Sequence, residues 1–133
     1  MPQARSRLGG DSERGALILS YMIIVPVFMA ALMVIVQGSL WYLAREAALA
    51  AARQGADAAR VLHAPPGAGP RAAVAFARSS ASGFLLHPRA SPNGSTATTV
   101  QITVTGRVPS LVPGLPIHVT QVAQAPVEQF TTP

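Results

Sequence analysis

The chain has 133 residues with 10 arginines, no lysine, 5 acidic residues and no cysteine, which gives a formal net charge of +5. Half of the residues are apolar but only 11% are charged, and since soluble domains carry about a quarter charged residues, a long uncharged segment is expected. The composition excludes disulfides and cysteine-metal sites and allows one small domain at most. It also argues against nucleic-acid binding, because the arginines are spread singly and no aromatic residues are interleaved with them.

The uncharged segment lies between Arg14 and Arg45. Its apolar part, residues 16–43, predicts a transmembrane helix, since a span needs about 20 apolar residues. Tyr21 and the pair Trp41-Tyr42 stand about 30 Å apart along a helix with a rise of about 1.5 Å per residue, and we expect them to anchor the two membrane interfaces.

A cleaved secretory signal is the alternative interpretation of this segment. Its apolar region is about twice the usual 7–15 residues, and no good cleavage site follows it, so a retained single-pass anchor is favoured. Within the segment, Pro26 removes one backbone donor and predicts a kink. The polar residues 37–39 are either tolerated near an interface or mediate contact with another helix.

The orientation is not decided by charge, because three arginines precede the apolar segment and three follow it within about 20 residues. The simpler topology keeps a short cytoplasmic leader, residues 1–15, inside the cell and exports the larger C-terminal part. The sequence therefore predicts a single-pass membrane protein whose C-terminal part is extracytoplasmic.

Residues 44–63 predict an amphipathic extension of the helix, because they are rich in alanine, arginine and glutamate. Small residues recur on one face at helical spacing. They are Ala44, Ala48, Ala51, Gly55, Ala58 and Leu62. The stripe suits either lateral packing in an assembly or an ordinary helix on its own small domain. A Pro/Gly linker, residues 64–70, follows it.

Residues 71–133 predict a small α/β tail. A second helix is expected from about residue 71 to 86, followed by a cluster of turn formers at residues 87–95. Strict alternation over residues 98–105 predicts a half-buried strand, and residues 117–127 offer a weaker second one. The predicted fold class is therefore α+β, with a long N-terminal helix, a short second helix and a small antiparallel β hairpin.

The sequence offers little material for an enzyme. His63, His87 and His118 have no metal-ligand spacing, and neither a phosphate-binding loop nor a nucleophile motif occurs. Residues 93–95 form a glycosylation sequon that is interpreted first as a turn. We therefore predict no enzyme activity, no catalytic or metal-binding residue and no cofactor.

The order of these elements resembles type IV pilin-like proteins, and more narrowly the TadE-like family of the tight-adherence (Flp pilus) secretion machinery. The segments that carry the resemblance lie in residues 13–60 and in one later loop. They are Glu13-Arg14-Gly15-Ala16, Pro26, Trp41-Tyr42, Ala44-Arg45, Ala47 to Ala59 with Arg53-Gln54-Gly55-Ala56, and Gly106 to Gly114.

The resemblance implies processing by a prepilin peptidase after Gly15, which would leave Ala16 as the new N-terminus. It also implies helix docking through Ser20, Tyr21 and Pro26, and a location in the bacterial plasma (inner) membrane. Family members commonly carry Glu at the fifth residue after the cut, where this chain has Ser20. A carboxylate there is thought to pair with the N-terminal amine of a neighbouring subunit, and serine supplies no such charge.

The leading hypothesis is a non-enzymatic, membrane-anchored pseudopilin-like subunit involved in Tad/Flp-type pilus assembly or secretion. Its expected partners are the lipid bilayer, other pilin-like or Tad-system subunits and the prepilin peptidase, with no nucleic acid. The alternative hypothesis is a single-pass membrane-anchored structural or interaction protein unrelated to pili.

Overall fold

The computed structural model describes residues 9–129, with side chains described from residue 14. The predicted fold class, α+β with a long N-terminal helix and an antiparallel sheet, is confirmed. The elements in chain order are α1 (Gly9–Arg60), α2 (Ala68–Ser80), β1 (Leu86–Ser91), β2 (Thr99–Val108) and β3 (Ile117–Pro126). The chain divides into two compact units, residues 1–36 and residues 37–133, and α1 contributes to both.

In the first unit, α1 carries the uncharged apolar segment. Its described side chains are almost all exposed, and the helix continues through Pro26 without interruption. A helix satisfies its backbone hydrogen bonds internally, so this segment is stable in an environment that offers no other partners. The predicted leader lies largely outside the residues whose side chains are described.

In the second unit, α1 buries the predicted stripe of small residues against its own domain. Ala44, Ala48, Ala51 and Gly55 are buried, together with Ala52 and Ala56, which lie beside the stripe. Ala58 and Leu62 are half-buried. Of the two uses considered for the stripe, packing on its own small domain is confirmed, and its buried residues are not free for packing against another subunit.

The close approach of α1 and α2 depends on Gly55 and Gly69, whose backbones face each other. A Cβ atom built on Gly55 would lie 2.7 Å from the Gly69 carbonyl oxygen, and one built on Gly69 would lie 2.9 Å from the Gly55 carbonyl oxygen. Side-chain carbon does not approach backbone oxygen this closely. Glycine at both positions therefore lets the two helices pack backbone against backbone.

The three strands form an antiparallel sheet in the order β1-β2-β3. The alternation predicted for β2 is confirmed, because its second, fourth, sixth, eighth and tenth residues are buried under the helices. The largest fully buried side chains of the domain are Leu85, Ile102 and Val104, and they fill the space between the helices and the sheet. The other face of β2 carries threonine, glutamine and arginine.

The predicted antiparallel hairpin is present as β2 and β3, and the sheet has a third strand that the sequence does not predict. Residues 87–95 were expected to be turns, yet β1 (Leu86–Ser91) pairs along β2 with an irregularity between Leu86 and Arg89. Pro88 lies in this edge strand, where a missing N–H leaves no ladder bond unmade. The extra strand supplies the partner that two strands alone would lack.

The bounds of α2 also differ from the prediction. The helix begins at Ala68, inside the predicted linker, and ends at Ser80, before the predicted end at residue 86. Gly67 adopts a left-handed conformation, with a φ of 76°, immediately before the first turn. After the helix, Ala81 and Leu85 turn inward, and the Leu85 amide donates a hydrogen bond to the Ala81 carbonyl oxygen over 2.8 Å. The chain therefore leaves the helix before residue 86, and Leu85 is buried in the core.

Within the second unit, α1 runs along the sheet and is fixed at both ends. At one end, the Glu128 amide donates to the Arg60 carbonyl oxygen over 3.1 Å. At the other end, the Gln37 side chain binds residues that follow β2. Residues 37–60 rise about 35 Å as a helix, and the ten residues of β2 span about 33 Å, so the two elements match in length.

Candidate functional site

The N-terminal half of α1 presents a continuous apolar surface. Large apolar side chains are exposed on every side of the helix between residues 17 and 36. A patch of this size on a soluble monomer marks an interaction surface. The helix is long and apolar enough to span a membrane, a criterion that a signal sequence near an N-terminus also meets.

The predicted processing and docking residues lie on successive turns of this helix. Among the residues whose side chains are described, none outside the adjacent helix backbone has an atom within 4 Å of a Cβ built on Gly15. The Ser20 hydroxyl donates a hydrogen bond to the Ala16 carbonyl oxygen over 3.0 Å, one turn earlier in the helix. Tyr21 is exposed. Position 20 is therefore a neutral hydroxyl that is already bonded within its own helix.

The predicted interface anchors Trp41 and Tyr42 belong to the second unit and are both exposed. The Arg45 guanidinium lies over the Trp41 ring, 5.8 Å from its centroid, which is a cation–π contact. An exposed aromatic ring with a cation above it, one turn further along the helix, fits the boundary between an apolar layer and water.

Gln37 joins α1 to the loop between β2 and β3. Its side-chain amide donates to the Pro109 carbonyl oxygen over 3.1 Å, and its oxygen accepts from the Leu111 amide over 2.9 Å. The two predicted roles of this residue were tolerance near a membrane interface and contact with another helix. Neither includes a hydrogen bond within its own domain. In the sequence, both the glutamine in an apolar helix and the proline-rich loop are conspicuous. Nothing in the sequence, however, indicates that they lie close together.

The loop that Gln37 holds, residues 109–116, is compact and apolar. Ser110 and Val112 exchange side-chain and backbone hydrogen bonds of 2.9 and 3.2 Å. The Leu115 amide donates to the Val112 carbonyl oxygen over 3.3 Å across Pro113-Gly114, and Gly114 has a φ of 79°, as in a type II turn. Leu111, Val112 and Leu115 are 40, 50 and 50% exposed.

Basic side chains gather at the same end of the sheet. Arg107 pairs with His118 across β2 and β3, while Arg89 of β1 pairs with Thr105 two residues earlier in β2. His87 lies at the irregularity of β1, and these side chains line one shallow depression. The sequence does not predict this cluster, because only the register of the three strands brings these residues together.

The three histidines lie in a turn and in the sheet. His63 lies in the turn after α1, at a positive φ of 60°, while His87 and His118 lie in the sheet. Within the residues that the structure describes, no group of three or more histidine, cysteine, aspartate or glutamate residues could hold a metal ion.

Comparison with known proteins bears on the N-terminal helix. Residues 15–57 match the family model described as TadE-like protein, so the resemblance inferred from the sequence is confirmed over this segment, about a third of the chain. The match begins at Gly15 and extends over both the apolar surface and most of the buried stripe of α1. Neither the curated proteins nor the solved structures contain a significant match.

Proposed function

We propose that this protein is a non-enzymatic, membrane-anchored pseudopilin-like subunit that takes part in Tad/Flp-type pilus assembly or secretion. The observation that carries the proposal is the TadE-like match over residues 15–57. A TadE-like segment implies association with components of a Tad pilus system. The matched helix has the two parts that such a subunit needs. One half is apolar and suits the membrane, and the other half belongs to a small folded domain.

The proposed arrangement places residues 16–43 in the plasma membrane and the domain outside the cytoplasm. The exposure of almost every described apolar side chain before residue 37 supports a lipid environment, because water would leave this large surface uncompensated. The exposed Trp41 and Tyr42, with Arg45 above the indole, support an interface at that height.

Ser20 favours an accessory role over that of a bulk filament subunit. Its hydroxyl already bonds to the Ala16 carbonyl oxygen, and it carries no charge to attract the amine of a neighbouring subunit. Docking of this helix against pilin-like partners would then depend on shape and apolar contact around Tyr21 and Pro26. We expect loose, substoichiometric association with a pilus apparatus.

Processing is the first step to test, and the intact mass of the membrane-extracted protein measures it. A mature chain that begins at Ala16 is the expected result, since the resemblance to TadE-like proteins implies a cut after Gly15. The variant Gly15→Val should retain the full leader, and Gly38→Val, at an equally open glycine of the same helix, should be processed normally. A wild-type chain that begins before Gly15 would contradict processing at this position.

Partner association is tested by a photo-reactive side chain placed in the apolar half of α1, at Ile24 or Met29, in the native host. Both positions are exposed, so the substitution leaves the domain intact. We expect crosslinks to pilin-like or Tad-system subunits, identified by mass spectrometry. The same label at Ala97, in the distant turn before β2, is the control. Crosslinks to lipid alone from both helix positions would argue for an anchor without pilin-like partners.

A further inference from the structure

We propose that the loop between β2 and β3, residues 109–116, is a second membrane contact that seats in the interfacial layer of the bilayer crossed by α1. This inference rests on the proposed membrane anchoring and assigns a further role to the domain. Leu111, Val112 and Leu115 face the lipid in this arrangement. The domain is then held against the membrane instead of moving freely above it.

The height of the loop along α1 carries the inference. Gln37 binds the backbone on both sides of Ser110, through Pro109 and Leu111, and so fixes the start of the loop beside its own turn of the helix. Gln37 lies four residues before Trp41, or about 6 Å along the helix axis toward the apolar segment. If Trp41 marks the interface, the loop is at interfacial depth or deeper.

The loop has the chemistry that this depth requires. No charged residue occurs between Arg107 and His118, and three large apolar side chains are exposed. Three of its eight residues are prolines, which have no N–H. The amides of Leu111, Val112 and Leu115 all donate hydrogen bonds within the domain. Few backbone donors would therefore lose a water partner on entering the interface.

The loop is also rigid enough to present these side chains together. The turn at Pro113-Gly114 and the Ser110 hydroxyl fix its tip, and the two bonds to Gln37 fix its base. Little conformational entropy is lost when a preorganised loop binds a surface. Leu111, Val112 and Leu115 remain 40, 50 and 50% exposed on this fixed loop.

The distribution of charge around the loop fits an anionic lipid surface. Arg107 is the last residue but one of β2, just before the loop, and Arg89 lies on the neighbouring strand β1. The acids Asp57 and Glu128 lie at the opposite end of the domain, near Arg60, while Glu46 stands on α1 between the two ends. Cations near a membrane surface are attracted to anionic headgroups.

The test uses the full-length protein in vesicles of phosphatidylethanolamine and phosphatidylglycerol. Because the chain has no cysteine, single variants Leu111→Cys, Val112→Cys and Leu115→Cys can each carry one environment-sensitive fluorophore. We expect a blue-shifted emission, quenching by lipids that bear a quencher near the headgroup, and loss of quenching by aqueous iodide. Ala97→Cys is the matched control, since it is exposed at the far end of β2, and it should respond to iodide alone.

A label at Ile24→Cys separates this inference from the proposed anchoring. Lipid quenching at Ile24 without lipid quenching at the three loop positions would overturn the inference and leave the anchoring intact. Absence of lipid quenching at Ile24 would overturn the anchoring, and the loop contact with it. Loop labels shielded from iodide in proportion to protein density, without lipid quenching, would assign the loop to a second copy and overturn the inference.

The hydrogen bonds of Gln37 provide an independent variant. Gln37→Leu removes both bonds to the loop base, and we expect weaker lipid quenching of the Leu115→Cys label in that background. Gln54→Leu, at an exposed glutamine on the same helix, should leave the label unchanged. Equal quenching in both backgrounds would contradict the role of Gln37 in setting the depth of the loop.

Discussion

Two glycines set the distance between α1 and α2, and their role is visible only in the folded domain. Gly55 and Gly69 allow the helix backbones to meet, and Ile102 covers both from the sheet. Gly38 lies on the same helix as Gly55, yet it has no neighbour within 4 Å of a built Cβ. The two positions on α1 therefore form a matched pair for testing close packing against helix propensity.

Gly55→Ala should destabilise the domain by about 1–3 kcal/mol, because the added methyl group meets the Gly69 carbonyl and Ala73 in a packed contact. Gly38→Ala should be neutral or stabilising by up to about 1 kcal/mol, because alanine favours a helix. Thermal unfolding of the detergent-solubilised protein measures both. Equal midpoints for the two variants would contradict the close contact of α1 with α2.

Gln37 is the second residue whose role depends on the fold, because its amide replaces a missing backbone partner at the base of the loop. Gln37→Leu removes two hydrogen bonds and should cost about 1–2 kcal/mol. It should also raise the amide hydrogen exchange of Leu111. Gln54→Leu is the control and should change neither quantity. Unchanged exchange at Leu111 in Gln37→Leu would show that the bond is not formed in solution.

At the level of the elements, local patterns predicted those parts of the fold whose burial follows a simple period. The alternation of β2 and the small-residue stripe of α1 both became core faces. The strand β1 escaped prediction because Pro88 and the neighbouring turn formers obscure its period. Its place depends on pairing with β2, a long-range contact that a local pattern does not contain.

The assignment of the two faces of β2 is tested by neighbouring substitutions. Ile102→Ala should destabilise the domain by about 2–5 kcal/mol, since this fully buried side chain touches both Gly55 and Gly69. Thr103→Ala, on the outer face, should change stability by no more than about 0.5 kcal/mol. Chemical denaturation monitored by circular dichroism measures both free energies. A larger loss at Thr103 than at Ile102 would mean that the register of the sheet is wrong.

For the whole molecule, the sequence was most informative about which part of α1 is apolar and exposed and which part packs within the domain. The uncharged segment, its aromatic boundary and the small-residue stripe are all readable from residues 15–57, and the TadE-like match covers the same range. The loop at residues 109–116 could not be placed in this way, because its association with Gln37 spans more than 70 positions of the chain. Functional surfaces formed by such distant pairs require the structure.

The proposed topology is tested with the cysteine-free chain as background. Ala97→Cys lies in an exposed turn of the domain, and a membrane-impermeant maleimide should label it in intact cells once the outer layers are made permeable. Labelling is expected without lysis, because the topology places the domain outside the cytoplasm. Ala97→Cys labelled only after the plasma membrane is broken would reverse the orientation.

The central claim is participation in pilus assembly, and the most direct measurement is the number of surface pili on cells that lack this gene. We expect a marked loss of pili by electron microscopy, restored by the wild-type chain. A chain with Ile24, Met29 and Val34 all changed to Arg should not restore them, because charges at the middle of a span are costly. Unchanged surface pili in the deletion strain, in a host that assembles Tad-type pili, would contradict the account.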